Sequence, residues 1–230
     1  MNAAADSNPV RFSSHDLPER DRLAVWREAF ARQIIHVEWE PLPGIPFFQT
    51  STFRKMPGLS LAFGASSGFC ARRTAPLVGD GNDDLLLTIN LRGRTSASQF
   101  GREAEVGPSS GFLMSAADVS TVRYPDAAQW IVIGVPRKTI AAMVKEPESV
   151  IGRTLGNPAA IQLLTNYVLA VNGDLDLSTP KLWHVFRTHV HDLVALAIGA
   201  TRDGVELARS RGLRAARLAA IKADTIAHLS

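Results

Sequence analysis

The chain has 230 residues, enough for one large domain or two small ones with a hydrophobic core. Its 46% hydrophobic and 20% charged residues are ordinary for a globular protein and exclude an intrinsically disordered class. The net charge of +3 is too small for a protein that binds nucleic acid over its whole surface. The single Cys70 and the lack of a signal-like or membrane-length apolar run predict a soluble protein of the cytoplasm.

The first predicted element is an amphipathic helix in DLPERDRLAVWREAFARQ. Pro18 stands in a first-turn position, and Leu23, Trp26 and Phe30 recur at spacings of three and four residues. This apolar stripe predicts that the helix packs on a larger body. The small and polar residues 1 to about 12 are predicted to be disordered.

Residues 34 to 136 contain short runs rich in β-branched and aromatic residues, separated by Gly, Pro, Asn and Asp clusters. About ten strands without intervening helices predict an antiparallel sandwich or barrel. The predicted strands are IIHVEWE, QTSTFRKM, LSLAFGAS, FCARRTA, LLLTINLR, RTSASQF, REAEV, GFLMS, VSTVRY and AQWIVIGV.

After Pro136 the apolar period becomes 3.6, so the fold class is α+β. Asn157 is predicted to cap a helix in NPAAIQLLTNYVLAV, and Pro180 begins another in STPKLWHVFRTHVHDLVALAIG. The short connection predicts an antiparallel helical hairpin. Because both helices are apolar over more than one stripe, we expect a homodimer interface there. The candidate interface residues are Tyr167, Val171, Trp183, Phe186, Val190, Leu193 and Leu196.

Motifs with catalytic or metal-binding spacing all lack the required context. GASSG, with Ser66 in the nucleophile position, is followed by a strand-like segment rather than a helix. DGNDDL resembles half of a calcium loop but lacks the later Gly and Glu, which predicts a solvated loop. His189 and His191 point about 200° apart on a helix and cannot share an ion. No catalytic residue, metal or cofactor is therefore predicted.

A barrel with a lined interior is the usual place for a small ligand. Inward positions alternate along each strand, and Arg72 or Arg73 could contact an acidic ligand such as an aromatic or short-chain acid. The candidate lining residues are Trp39, Phe53, Phe63, Arg72, Arg73, Thr88, Asn90 and Trp130.

The order of these parts resembles the N-terminal region of AraC/XylS-type transcriptional regulators. The similarity runs through FSSHDLPERDRLAVWREAF, RRTAPLVGDGNDDLLLTINLRG and GREAEVGPSSGFLMSAADVSTVRYPD, and continues at VPRKTI. One departure follows Pro108, where the family usually has Gly and Asp and this chain has Ser109 and Ser110.

The resemblance implies a cupin-like sensing barrel (jelly roll) within residues 1–136 and a helical dimerisation region at 137–200. Residues 201–230 would then be a linker helix leading to a DNA-binding domain with two helix-turn-helix motifs, which this chain lacks. DNA would be bound only through that domain, and no membrane partner is implied. Two alternatives stay open: a cupin enzyme with an atypical metal site, and a dimerisation module whose barrel binds no ligand.

Overall fold

The computed structural model describes residues 9–172 and 179–199. The helices are α1 (Glu19–Gln33), α2 (Ala75–Val78), α3 (Arg137–Ala141), α4 (Pro158–Asn172) and α5 (Pro180–Ala197), with short 3-10 helices at Ser14–Asp16 and Pro147–Ser149. The strands are β1 (Val10–Ser13), β2 (Glu38–Pro41), β3 (Gln49–Met56), β4 (Leu59–Ser66), β5 (Phe69–Arg73), β6 (Leu85–Arg92), β7 (Thr95–Gln99), β8 (Arg102–Val106), β9 (Ser110–Ser115), β10 (Ser120–Tyr124) and β11 (Ala128–Val135).

The strands form two facing antiparallel sheets. The large sheet has the order β1-β3-β4-β11-β6-β9, and the small sheet has the order β2-β5-β10-β7-β8. Side chains of both sheets meet in one buried cluster, which includes Trp130 of the large sheet and Tyr124 of the small one. This is a cupin-like jelly roll, so the predicted antiparallel barrel in an α+β chain is confirmed.

The large sheet is buried on both faces, which explains why the sequence of β11 is apolar at every position from Trp130 to Val135. Trp130 and Val132 face the small sheet, whereas Ile131 and Ile133 belong to the cluster formed with α4 and α5. Successive strand residues point to opposite faces, so a strand covered on both sides needs apolar residues at every position.

The helices after β11 share this second core with the large sheet. The Asn157 side chain caps α4 as predicted, because its Oδ1 accepts a hydrogen bond from the amide of Ala160 at 3.1 Å. α4 and α5 pack together, with the Tyr167 and Phe186 rings stacked at a centroid distance of 5.3 Å. Residues of the predicted sensing and dimerisation regions therefore lie in one continuous core.

α5 also holds the turn between β3 and β4. Arg187 Nη1 donates to the carbonyl of Pro57 at 3.0 Å, and His191 Nε2 donates to that of Gly58 at 2.7 Å. His191 is 8% exposed, and burial lowers the pKa of its imidazole. The buried ring therefore binds this turn in its neutral form.

Two local predictions are corrected, and the loop that departs from the usual family sequence has an unusual backbone conformation. The prediction of disorder up to about residue 12 is wrong for its last residues, because Val10–Ser13 pairs with β3 as an edge strand. The strand predicted from residue 34 begins only at Glu38, because Ile34 ends α1 and both Ile34 and Ile35 are buried beside it. Where the family usually has Gly, Ser109 adopts a left-handed φ of 60°.

In the ranges 9–172 and 179–199, no helix combines the length and apolar character needed to cross a membrane. The predicted linker helix within 201–230 and the side chain of Val171 lie outside the described residues.

Candidate ligand cavity

A cavity of about 80 Å³ lies between the two sheets. Its wall consists of inward side chains from both sheets and from α1, and most of them are apolar or aromatic. A concave, mostly apolar space with a few polar groups is the usual form of a small-molecule site. The wall residues are Phe30, Ile35, Val37, Trp39, Phe69, Ala71, Arg73, Leu86, Thr88, Met114, Ser115, Ser120, Val122, Tyr124, Trp130 and Val132.

An aromatic cluster anchored by α1 supports one side of this wall. The fully buried Trp26 ring lies 5.1 Å from Trp39 and 5.8 Å from Phe53, measured between centroids. Phe30 lies 5.0 Å from Trp39 in an edge-to-face arrangement and 6.3 Å from Trp130. Such pairs contribute about 0.5–1.5 kcal/mol each beyond their buried area. The cavity's aromatic side is therefore held rigidly from behind.

Trp130 covers a glycine on the neighbouring strand. Gly64 pairs with Trp130 across β4 and β11, and a Cβ atom added at Gly64 would lie 2.3 Å from the indole Cζ2. The indole Nε1 donates to Ser66 Oγ at 3.2 Å, which fixes the ring orientation. Gly64 and Ser66, the strand residues of GASSG, thus position a wall residue. The motif ends in the turn between β4 and β5 rather than a nucleophile elbow.

Arg73 is the charged member among the described wall residues, and its charge is already paired. Its Nη1 and Nη2 donate to the two carboxylate oxygens of Asp80 at 3.0 and 2.7 Å. Its Nε donates to the Ala116 carbonyl at 3.0 Å, and Nη1 also donates to the His36 carbonyl at 2.9 Å. The hydrogen bond from Arg73 lowers the pKa of Asp80, so the carboxylate stays ionised.

A buried hydrogen-bond network supports Tyr124 in the opposite wall. Its hydroxyl donates to Asn90 Oδ1 at 3.3 Å, and burial raises the pKa of this phenol, which stays neutral. Asn90 Nδ2 donates to Thr95 Oγ1 at 2.7 Å and to the Val106 carbonyl at 2.9 Å. Asn90 is therefore a support behind the cavity wall, with its polar atoms used within the protein.

The structure brings four of the eight sequence-predicted lining residues into the wall: Trp39, Arg73, Thr88 and Trp130. The other four lie elsewhere. Phe53 is buried against Trp26, and Asn90 lies behind Tyr124. Phe63 lies on the helix-facing side of the large sheet, and Arg72 points outward and pairs with Glu40. Arg72 and Arg73 are adjacent on β5, so only one can face inward.

Ser115, which the sequence reasoning missed, connects the wall to the helical region. Its hydroxyl accepts a hydrogen bond from Arg137 Nη2 at 2.7 Å and donates to Asp118 Oδ2 at 2.8 Å. Arg137, the first residue of α3, also donates through Nε to the Asp83 carbonyl at 3.3 Å and pairs with Glu148 at 2.6 Å. One guanidinium group thus joins the end of β9, the loop before β6 and the segment that leads toward α4.

The edge strand β9 makes a second connection to the same segment. The amide of Gly152 donates to the Leu113 carbonyl at 2.9 Å, and that of Leu155 donates to the Gly111 carbonyl at 2.8 Å. β9 also carries the wall residues Met114 and Ser115. β9 therefore contacts both the cavity and the chain that enters α4.

The candidate interface residues on α4 and α5 divide into two groups. Phe186 and Val190 are 3% and 0% exposed within the chain's own core, so they offer no surface to a partner. Tyr167, Trp183, Leu193 and Leu196 are partly exposed. Burial raises the pKa of Tyr167 to about 12, and its hydroxyl contacts His189 Nδ1 at 2.8 Å.

Exposed aliphatic side chains accompany the Tyr167–His189 contact. Leu163 lies one turn before Tyr167 and is 53% exposed, and Val185 lies one turn before His189 and is 38% exposed. Residues four apart lie on the same side of a helix. Leu163 and Val185 therefore form, with Tyr167 and His189, a partly apolar surface that we call the helix seam.

The sequence of this chain matches the family model of the AraC-binding-like domain over residues 26–199. The chain belongs to the AraC-binding-like domain family. No curated protein matches it. Within the described part of this AraC-binding-like domain, no three His, Cys, Asp or Glu side chains are grouped so that they could hold a metal ion.

One solved structure with a TM-score above 0.5 shows the same fold. The crystal structure of the AraC-like transcriptional activator CuxR superposes with a TM-score of 0.71 at 19% identity, covering 84% of this chain and 71% of that one. The Clostridium difficile EutQ protein matches at a TM-score of 0.32 and 13% identity, covering 42% and 75%. A cupin superfamily protein from Desulfitobacterium hafniense matches at 0.33 and 9%, covering 38% and 77%.

Proposed function

We propose that this AraC-binding-like domain is the effector-sensing and dimerising part of an AraC-type transcriptional regulator, without enzymatic activity. The cavity between the sheets takes a small molecule, and DNA is bound through a separate domain of the regulator. The observation that carries this proposal is the cavity between the sheets, together with the hydrogen bond from Arg137 of the helical region to Ser115, a residue that borders it. Family membership and the fold shared with an AraC-like transcriptional activator support the same function.

The Ser115–Arg137 contact provides a physical route from ligand to helices. A ligand that displaces Ser115 or shifts β9 changes a hydrogen bond to Arg137 and the pairing of β9 with the segment before α4. α3 packs against α5, so movement of Arg137 reaches the helix seam. The ligand then shifts an equilibrium between two arrangements of the helices, to the extent that its affinities for the two arrangements differ.

For dimerisation, we propose that the helix seam packs against the same seam of a second copy. Exposed aliphatic side chains beside a tyrosine suit the apolar centre of a symmetric interface. Replacing both Leu163 and Val185 by Glu is expected to give a folded monomer by analytical ultracentrifugation, because four buried carboxylates would be unpaired.

Leu169→Glu is the matched control for this change. Leu169 is 37% exposed on the same helix, but it lies 120° around the axis from Leu163 and outside the seam. This variant is expected to remain a dimer. A wild-type chain that is monomeric at micromolar concentration would contradict the dimer proposal.

Thermal unfolding of the full chain in the presence of a library of charged and uncharged small molecules tests sensing. A ligand that binds only the native state raises its stability by RT ln(1 + [L]/Kd), so a hit at 100 times its Kd adds about 2.7 kcal/mol. We expect at least one stabilising compound. A dimer that no compound stabilises would instead be a dimerisation module without a ligand.

A further inference from the structure

We infer that the cavity selects a small uncharged ligand with one hydrogen-bonding group and excludes carboxylates, including the acids that the arginines of β5 suggest in the sequence. This inference rests on the proposed sensing function and specifies its ligand. Three observations carry it: the pairing of Arg73, the neutral remainder of the wall, and two hydroxyl groups that form no hydrogen bond within residues 9–172 and 179–199.

Arg73 offers almost nothing to a ligand anion. A guanidinium has five N–H groups, and four of those of Arg73 already donate to Asp80, Ala116 and His36. The side chain of Arg73 is 1% exposed, whereas that of Asp80, in the loop before β6, is 36% exposed and also accepts a hydrogen bond from the amide of Asn82. The positive charge at the wall is therefore neutralised from behind by a carboxylate of the protein itself.

The remaining wall cannot replace the hydration of an anion. It consists of carbon surfaces together with the hydroxyls of Thr88, Ser120 and Tyr124, whereas the hydroxyl of Ser115 is bonded to Arg137 and Asp118. An ion moved from water into such surroundings without a partner charge is strongly disfavoured, whereas a neutral ligand with one satisfied polar group is not. This wall and Asp80 therefore determine the difference in affinity between charged and neutral ligands.

Two wall hydroxyls remain for the ligand. Ser115 and Tyr124 bond to Asp118 and Asn90, but the hydroxyls of Thr88 and Ser120 form no hydrogen bond with any residue in the described ranges. Thr88 lies on the large sheet and Ser120 on the small sheet, so they contribute from opposite walls. A hydroxyl both donates and accepts, so it suits an amide, alcohol or ketone.

The size and shape of the cavity restrict the apolar part of this ligand. The volume of about 80 Å³ is smaller than the roughly 150 Å³ of an engineered cavity that binds benzene. Trp39, Phe69 and Trp130 provide flat apolar surfaces, and the flexible Met114 can move to admit a ring. The ligand class is therefore an uncharged compound of one ring or a short chain.

Benzamide and benzoate test the inference, because they share a ring and differ in charge at neutral pH. Calorimetric titration and thermal shift with the full chain are expected to show benzamide binding at least tenfold more tightly than benzoate. Thr88→Val keeps the volume and removes the hydroxyl, so it is expected to weaken benzamide binding several-fold. Equal or tighter binding of benzoate by the wild type would overturn the inference.

Asp80→Asn tests the cause of the selectivity. Removing this carboxylate leaves Arg73 unpaired, so the affinity for benzoate relative to benzamide is expected to rise at least tenfold. Asp83→Asn, three residues along the loop, changes the net charge equally without contacting Arg73 and should leave the ratio unchanged. A folded Asp80→Asn variant with the wild-type ratio would contradict the inference.

If Asp80→Asn does not fold, the ratio of benzamide to benzoate affinity in the wild type and the effect of Thr88→Val on benzamide binding still test the inference. Failure of benzamide, benzyl alcohol and acetophenone to bind at millimolar concentration would overturn the ligand class. A charged hit from the wider library would then leave the sensing proposal standing while refuting this inference.

Discussion

Replacing Gly64 by Ala tests whether the packing of Trp130 shapes the cavity. The added Cβ would lie 2.3, 2.5 and 2.7 Å from Cζ2, Cη2 and Cε2 of the indole ring. Ordinary carbon contacts are about 3.5–4.0 Å, so the ring must move by about 1 Å or more. Trp130 lines the cavity, so this movement is expected to change a volume of only about 80 Å³.

The expected loss of stability follows from three contributions. Overpacking costs about 1–3 kcal/mol, and loss of the hydrogen bond from Trp130 to Ser66 costs about 1 kcal/mol. The lower entropy of the unfolded chain with Ala returns about 0.4–1 kcal/mol. We therefore expect a net loss of about 2 kcal/mol in the free energy of unfolding, measured by urea denaturation, together with weaker ligand binding.

Gly107→Ala is the matched control, because a Cβ there meets no atom within 4 Å. It is expected to change stability by less than about 0.5 kcal/mol. In a Trp130→Leu background, Gly64→Ala should cost less stability than it does in the wild type, because the clashing ring is absent. Indistinguishable unfolding curves for Gly64→Ala and Gly107→Ala would refute the packing argument.

Three further predictions concern stability and coupling. Arg137→Gln is expected to cost about 2 kcal/mol in the free energy of unfolding, measured in urea, because it breaks the hydrogen bond to Ser115. It should also uncouple ligand binding from dimer affinity. Unchanged coupling would count against the proposed route. Because burial lowers the pKa of His191 below its ordinary 6.5, the unfolded chain binds this proton first as the pH falls. Stability should therefore decrease below about pH 7, by at most about 1.4 kcal/mol per pH unit, and His191→Gln, which keeps a donor for Gly58, should reduce that slope. Ser109→Gly should stabilise the chain by about 1 kcal/mol in thermal unfolding, as glycine adopts a φ of 60° without strain.

Much of the fold could be predicted because strand and helix periods differ. The strand runs, the capped start of α4 and the α+β class all follow from local patterns. The pairing of Val10–Ser13 with β3 could not, since four residues are too few to show a period, and the segment gains order only from a neighbouring strand. Ile34 and Ile35 have high strand propensity, yet burial beside α1 overrides it.

The cavity was predictable only in part, for reasons visible in particular residues. Wall positions follow period two, as in Ala71 and Arg73 on β5 or Trp130 and Val132 on β11, but the sequence does not say which alternate set faces inward. Phe63 was misleading because the large sheet is apolar on both faces. The pairing of Arg73 with Asp80 crosses a loop, and spacing alone cannot show that it removes a charge from the wall.

The position of β11 has a consequence for how the chain folds. β11 is the last strand in sequence, yet it lies in the large sheet between β4 and β6 and pairs with both. Its contact between Ile131 and Phe63 spans 68 residues, and contacts over such separations slow folding. At about 5–20 residues per second, synthesis from the end of β6 to the end of β11 takes about 2–9 s. During this time β4 and β6 each have an unpaired edge, so overexpression is expected to favour association of incomplete chains through these edges.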